Sequence, residues 1–241
     1  MLSNKEKQMS ESYLVGIILA IVGGYLDAYT YICRGQVFAN AQTGNMVLLG
    51  IQLAQGNFLK ALHYLAPIIT FFIGIAFVEG IKAKYKVNSN LHWRQIAIII
   101  EFLALVGVAY LPQGHYNAVA TIVVSFVCSL QAQSFRKFNG NNYASTMCTG
   151  NLRSASEHFF RYMSLKNKEE LRVSLQYLNI IIFFIIGAII GCILTKTYQD
   201  KSVLFSCLGL AAVFFLMIKK PVKESKDNSY ENLNTFKINK S

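Results

Sequence analysis

The sequence predicts an all-α, polytopic membrane protein. Six transmembrane helices and two short re-entrant half-helices are expected, arranged as two inverted repeats of three spans. Three observations carry this. Of 241 residues, 54% are hydrophobic and only 15% charged, against about a quarter charged in a soluble domain. The apolar residues fall in long blocks of membrane-crossing length rather than in amphipathic stripes. And one pattern is stated twice. Gln42-Thr43-Gly44-Asn45-Met46 and Cys148-Thr149-Gly150-Asn151-Leu152 share Thr-Gly-Asn, and the upstream Leu26-Asp27-Ala28-Tyr29-Thr30-Tyr31 matches Leu130-Gln131-Ala132-Gln133-Ser134-Phe135. A pattern repeated in order implies two similar halves.

Residues 1–12 are polar and form a short tail. Tyr13 to Ile32 is a 20-residue apolar run, enough to cross about 30 Å of hydrocarbon as a helix. It is long and closes on no small-residue cleavage site, so a first span is expected rather than a cleaved leader. Gly16, Gly23 and Gly24 within it permit close helix approach. Residues 34–61 are rich in glycine and amides, and the apolar run Met46 to Ala54 is too short to span. Leu62 to Ile81, with Pro67 inside, is the second span, and Ile96 to Leu111 the third. The first repeat is therefore 13–114.

The second repeat, 115–218, follows the same order. Tyr116 to Phe135 is the fourth span. The second Thr-Gly-Asn and a polar segment to Lys168 come next. Val173 to Thr195 and Ser202 to Ile218 are spans five and six. Phe183-Phe184-Ile185-Ile186-Gly187 echoes Phe71-Phe72-Ile73-Gly74. Residues 219–241 are polar and expected to be a disordered tail.

Loop charge decides whether the Thr-Gly-Asn segments cross. With six spans and the N-terminus inside, the inner side holds Lys5, Lys7, Lys82, Lys84, Lys86, Arg94, seven cations from Arg136 to Arg172 and six in the C-terminal tail. That is 19 of 23, leaving Arg34, Lys60, Lys196 and Lys201 outside. Eight spans would abolish this bias and place Lys82 to Arg94 outside, against the positive-inside rule. They would also bury Arg153 and Glu157 at about 2.5–3.5 kcal/mol per charge. Six spans follow, with both termini cytoplasmic in the cell membrane. Repeats with an odd number of spans must point in opposite directions. Inverted repeats with broken helices near the midplane are a transporter architecture. The net charge of +11 is explained by this anchoring and does not call for nucleic acid.

The candidate solute-binding residues are Thr43, Gly44, Asn45, Thr149, Gly150, Asn151, Asp27, Gln131 and Tyr25. Glycine permits a tight turn, and Thr and Asn can cap the helix that follows. Two helix starts facing each other from opposite sides would hold an anionic or dipolar solute; the alternative is that the motif caps two short helices in a packed core. Asp27 lies two thirds along span one, at the place matched by Gln131. It can bind a cation, carry a proton or pair with Arg34. Tyr25, Tyr29 and Tyr31 around it form either an interface belt or a solute-lining wall. Glu79 and Glu101 are expected near the cytoplasmic ends of their spans, paired with adjacent lysines. Arg153 and Glu157 are four apart and can pair on a cytoplasmic amphipathic helix. The five cysteines form no CxxC pair and the four histidines no metal pattern.

Gly24-Tyr25-Leu26-Asp27-Ala28, Phe38-Ala39-Asn40-Ala41-Gln42-Thr43-Gly44-Asn45-Met46 and Ser145-Thr146-Met147-Cys148-Thr149-Gly150-Asn151-Leu152 together resemble the YoaK-like family of bacterial multi-pass membrane proteins. The resemblance runs over residues 13–218. It implies a bacterial cytoplasmic-membrane protein of about six spans and no particular activity.

The expected function is a transporter or channel for a small polar or anionic solute, with its site at the repeat interface. The alternative is a non-transporting membrane scaffold or assembly protein, suggested by glycine-lined spans and few intramembrane charges. No HExxH, nucleophile elbow or Walker loop is present, so neither an enzyme nor a cofactor is expected. The partners expected are the lipid bilayer and a small-molecule solute; a coupling ion and a homo-oligomer stay open.

Overall fold

The computed structural model describes residues 9–85, 93–138, 141–143 and 148–218. Both expected tails beyond these bounds, residues 86–92 of the basic loop, and residues 139–140 and 144–147 ahead of the second motif lie outside the described residues. Helices dominate. They are α1 (Tyr13–Cys33), α2 (Gln42–Ala54), α3 (Phe58–Tyr85), α4 (Trp93–Val108), α5 (Asn117–Ser134), α6 (Cys148–Leu165), α7 (Lys168–Tyr198) and α8 (Val203–Ile218). Short 3₁₀ turns precede α1 and α8, and Lys137–Phe138 pairs antiparallel with Asn141–Asn142.

Local chemistry sets the ends. Ser12 caps α1 by accepting from the Val15 amide at 3.3 Å, and Asn167 caps α7 by accepting from the Glu169 amide, each satisfying a donor the helix cannot. Thr70 returns its hydroxyl to the Ala66 carbonyl beside Pro67, which lies inside α3. Helices occur at every expected span, shifted by a few residues. The second motif differs from expectation. It opens an 18-residue helix, α6, that absorbs the polar segment following it, because Phe159, Phe160 and Met163 give that segment an apolar outer face.

Among the described residues, four stretches are long and apolar enough to cross a membrane: Tyr13–Cys33, Phe58–Lys84, Asn117–Ser134 and Lys168–Ile218. The last contains both α7 and α8. At 16 residues, α4 falls below the span length of about 17–25 residues. The exterior supports a hydrocarbon solvent. Ile182, Ile185, Ile189 and Ile193 stand half exposed along α7, as do Leu62, Ile69, Phe72 and Ile73 on α3.

Packing pairs the halves crosswise. α1 packs on α7 and α8, while α5 packs on α3 and α4; α2 packs on α3 as α6 packs on α7; α4 meets α8. Contacts along these pairs give directions. Gly16, Gly24 and Ala28 of α1 lie beside Ile180, Phe184 and Gly191 of α7, so the two run parallel. Gly74 lies beside Ser129, and Glu79 accepts from Gln133, so α3 and α5 also run parallel. Gln131 donates to the Leu19 carbonyl at 2.9 Å, while Thr121 donates to the Arg34 carbonyl at 3.0 Å. As α1 advances α5 therefore retreats, and the two are antiparallel.

Glycine sets the tightest crossing. A Cβ at Gly24 would collide with the Phe184 carbonyl, and one at Gly187 with the backbone of Ile21. Small residues let these backbones touch, which supplies van der Waals attraction where lipid removes the hydrophobic drive. Gly187→Ala is expected to destabilise the protein despite a helix-propensity gain of about 1 kcal/mol, because backbone cannot yield. Gly80→Ala, with open space around it, should be neutral or stabilising. Thermal melts in detergent compare the two; equal melting temperatures would contradict the crossing.

Candidate functional site

The chain leaves α1 through a strained corner. Gly35 has φ +95° and Gln36 φ 60°. A Cβ on Gly35 would come within 2.7 Å of His63 Nε2, so glycine is required twice over, by angle and by space. His63 Nε2 also lies 3.1 Å from the Gly35 carbonyl oxygen. Residues 36–41 then run without helical bonding beside a buried helix. Such backbone needs partners inside the protein.

The residues singled out from the sequence supply them. The Asn40 amide donates to Asp27 Oδ1 at 2.7 Å, and its side-chain Nδ2 donates to the Gly23 carbonyl at 3.0 Å. Asn45 is fully buried. Its Oδ1 accepts from the Phe38 amide, and its Nδ2 donates to the Phe38 carbonyl and to Gln42 Oε1. The position before α2 is Ala41, which makes no side-chain cap. Asn45 thus clamps the incoming strand instead of capping the helix start.

Asp27 is buried, and its carboxyl holds the chain entering α2. Asn151 is buried, whereas Thr43, Thr149 and Gly150 are exposed and Gly44 is half buried against the Phe38 ring. Gln131, the counterpart of Asp27, is buried and bonded to α1. Asp27, Asn45, Asn151 and Gln131 are therefore interior groups, and the threonines face outward.

Three expectations require correction. Arg34 is not a loop cation near Asp27. It is fully buried, and its Nη2 lies 3.2 Å from Asp200 Oδ1 as an ion pair without hydrogen-bond alignment. Its Nε donates to the Tyr29 hydroxyl at 2.8 Å, and its remaining nitrogens approach Asn117 Oδ1 and the Val108 carbonyl. Tyr25 is neither belt nor wall, since its hydroxyl donates to the Ser202 carbonyl at 2.6 Å and braces α1 against the turn before α8. Glu101 is not at a cytoplasmic end beside lysines. It lies halfway along α4, fully buried, and neither carboxylate oxygen has a hydrogen-bond partner.

Other pairings fall where expected. Glu79 pairs with Lys82 at 3.0 Å, and Arg153 with Glu157 at 2.8 Å on the exposed face of α6. That arginine holds the Glu157 carboxyl below the usual carboxylate range. Arg94 repeats at the other end of the molecule what Arg34 does. It donates to the Ser134 carbonyl at the close of α5 and to Ser10 and Glu11. An open cavity of about 420 Å³ lies at the Arg34 end, between Ala109–Pro112 and Tyr198–Lys201. It opens beside Asp200, away from the half-helix starts.

A family described as "Protein of unknown function (DUF1275)" matches residues 15–216. The chain is also 26% identical over 183 residues to the UPF0700 transmembrane protein YoaK of Bacillus subtilis (strain 168), covering 72% of this chain and 79% of the relative. No solved structure matches it.

The Arg34 clasp is testable. Asp200→Ala leaves a buried guanidinium without its counter-ion, which costs about 3–5 kcal/mol in closed sites. Asp200 is 24% exposed, so the low end is expected, as a lowered melting temperature in detergent. Replacing both partners with leucine should recover much of the loss; no recovery would mean the charge pairing is not what matters.

Proposed function

This chain belongs to the DUF1275 family and is a multi-pass membrane protein, and from that premise we propose that it is a transporter or channel for a small polar solute. The observation that carries the proposal is a buried carboxyl within α1, Asp27, that holds the non-helical chain entering α2.

Four features support this. The antiparallel course of α1 and α5, and the parallel courses of α1 with α7 and α3 with α5, are those of two inverted three-span repeats. In that arrangement α2 enters from outside and α6 from inside, with both termini in the cytoplasm. Cations are collected on the inner side of such a topology. Alternating access in inverted-repeat transporters turns about a site at the repeat interface. And the Asp27 carboxyl already takes up a backbone donor at the entry to α2 that an anion would use. A neutral or zwitterionic solute therefore suits the site better than a free anion.

Asn45 acts here as a clamp that sets the start of α2, with Asn151 as its buried counterpart in α6 and Asp27 and Gln131 as the matched polar pair on α1 and α5. The scaffold alternative loses its main support. Gly24 of α1, Gly74 of α3 and Gly187 and Gly191 of α7, which would serve association with another protein, are spent on contacts inside the chain.

Two experiments check the proposal. In intact cells, an impermeant thiol reagent should label Lys60→Cys from outside and leave Lys84→Cys unlabelled; equal labelling would defeat the six-span topology. For the site, a panel of amino acids, polyols and sugars is screened by thermal stabilisation of the purified protein, and hits are assayed for uptake into proteoliposomes. Asp27→Asn and the Asn45→Ala, Asn151→Ala double variant are expected to lose uptake by about tenfold or more, equivalent to about 1.4 kcal/mol. Undiminished uptake in both variants would remove the site.

A further inference from the structure

Glu101 is a buried carboxyl without a hydrogen-bond partner among the described residues. It lies midway in α4, with its side chain in the interior and not against lipid. Cys128 of α5 is buried in the core that also holds Ile98 and Leu105 of α4. Ser125, one turn earlier on α5, is buried, and its hydroxyl too has no partner among the described residues. Glu101 and Ser125 thus leave polar atoms unmet in the interior, on two helices that pack together.

The two carboxyls are both buried and differ in their partners. Asp27 accepts a backbone N–H at 2.7 Å. Glu101 has no hydrogen-bond donor among the described residues. An ionised carboxylate there would bear a desolvation penalty of several kcal/mol, so the neutral acid is the form that fits. Among the described residues, the groups facing α4 offer no substitute charge. From α5 comes the Cys128 thiol; α8 buries Cys207 in the same core; α3 meets α4 through Val78 and Ile81. The cation of α4 itself, Arg94, is spent at the helix start on Ser134, Ser10 and Glu11.

We propose that Glu101 is a reversible proton-binding site and that its proton is the coupling ion of the transport cycle. The second clause rests on the transporter reading; the first stands without it. The step adds one proton from water on one side to a carboxylate oxygen and returns it to water on the other. No other bond changes. Ionisable groups within spans serve as proton relays in pumps and transporters. Glu101 meets the physical requirement for one, since it can lose its proton only when packing around α4 opens to water.

The full-length protein, reconstituted in lipid, is titrated from mildly acid to mildly alkaline pH while infrared difference spectra record the carbonyl stretch of protonated carboxylic acids. The expected result is a band that disappears reversibly as pH rises, is missing from Glu101→Gln and persists in Asp27→Asn. Glu101→Asp should keep a titrating band at a shifted midpoint, which guards against a Gln variant that fails to fold. A band that titrates equally in Glu101→Gln, or no titrating band, overturns the site. Loss of the band on replacing choline with sodium at constant pH would mark a metal-cation site and overturn it too. In the same vesicles, a solute hit from the screen should accumulate with a pH gradient in the parent and only exchange in Glu101→Gln. Accumulation in both variants overturns the coupling role. A titrating band in a protein that moves no solute leaves the proton site standing and defeats the transporter reading alone.

Discussion

Hydrocarbon offers no hydrogen bonds, so a chain that breaks its helix at membrane depth must bring its own partners. The corner between α1 and α2 depends on this constraint. Asp27 accepts from Asn40, Asn40 reaches back to Gly23, and Asn45 ties both backbone groups of Phe38. Together they fix the chain that enters α2 against α1. The left-handed corner at Gly35 and Gln36 is tolerated because the segment after it is held at several points.

Two arginines do related work at the two ends of the bundle. Arg34 fastens the end of α1 to the α7–α8 turn through Asp200, and Arg94 fastens the end of α5 to the start of α4 and to the residues before α1. Each joins one half to the other. Between the clasps, the α1–α7 crossing is close enough for backbone contact at Gly24 and Gly187. The interior is thus close-packed where glycines meet, and it encloses polar side chains of α1, α4 and α5, among them Asp27, Glu101 and Gln131.

Much of this was legible in the sequence, for physical reasons. Apolar blocks of spanning length placed α1, α3, α4, α5, α7 and α8, because lipid selects for length and composition and little else. The doubled Thr-Gly-Asn falls at the starts of α2 and α6, since a glycine and two short polar side chains mark a break. What stayed hidden was pairing over distance. Arg34 follows an apolar run and looks like a loop cation; only its contact with Asp200, 166 positions away, shows it buried. Glu101 follows a basic loop and looks neutralised, yet the pitch of α4 turns it inward. The role of Asn45 was misassigned because its partner, Phe38, is hydrophobic and only its backbone takes part. Tyr25 beside Asp27 in sequence points elsewhere in space, since neighbours two apart on a helix do not share a face.

The crosswise pairing has a bearing on biogenesis. α1 packs chiefly on α7 and α8, and α5 on α3 and α4. During synthesis α1 enters the bilayer about 150 residues before its main neighbour is made, at translation speeds of about 5–20 residues per second. For those seconds its glycine groove faces lipid and the Arg34 guanidinium has no Asp200 to meet. The nascent first half is therefore a client for whatever shields unpaired helices at the insertion machinery, and its lifetime there is set by the ribosome.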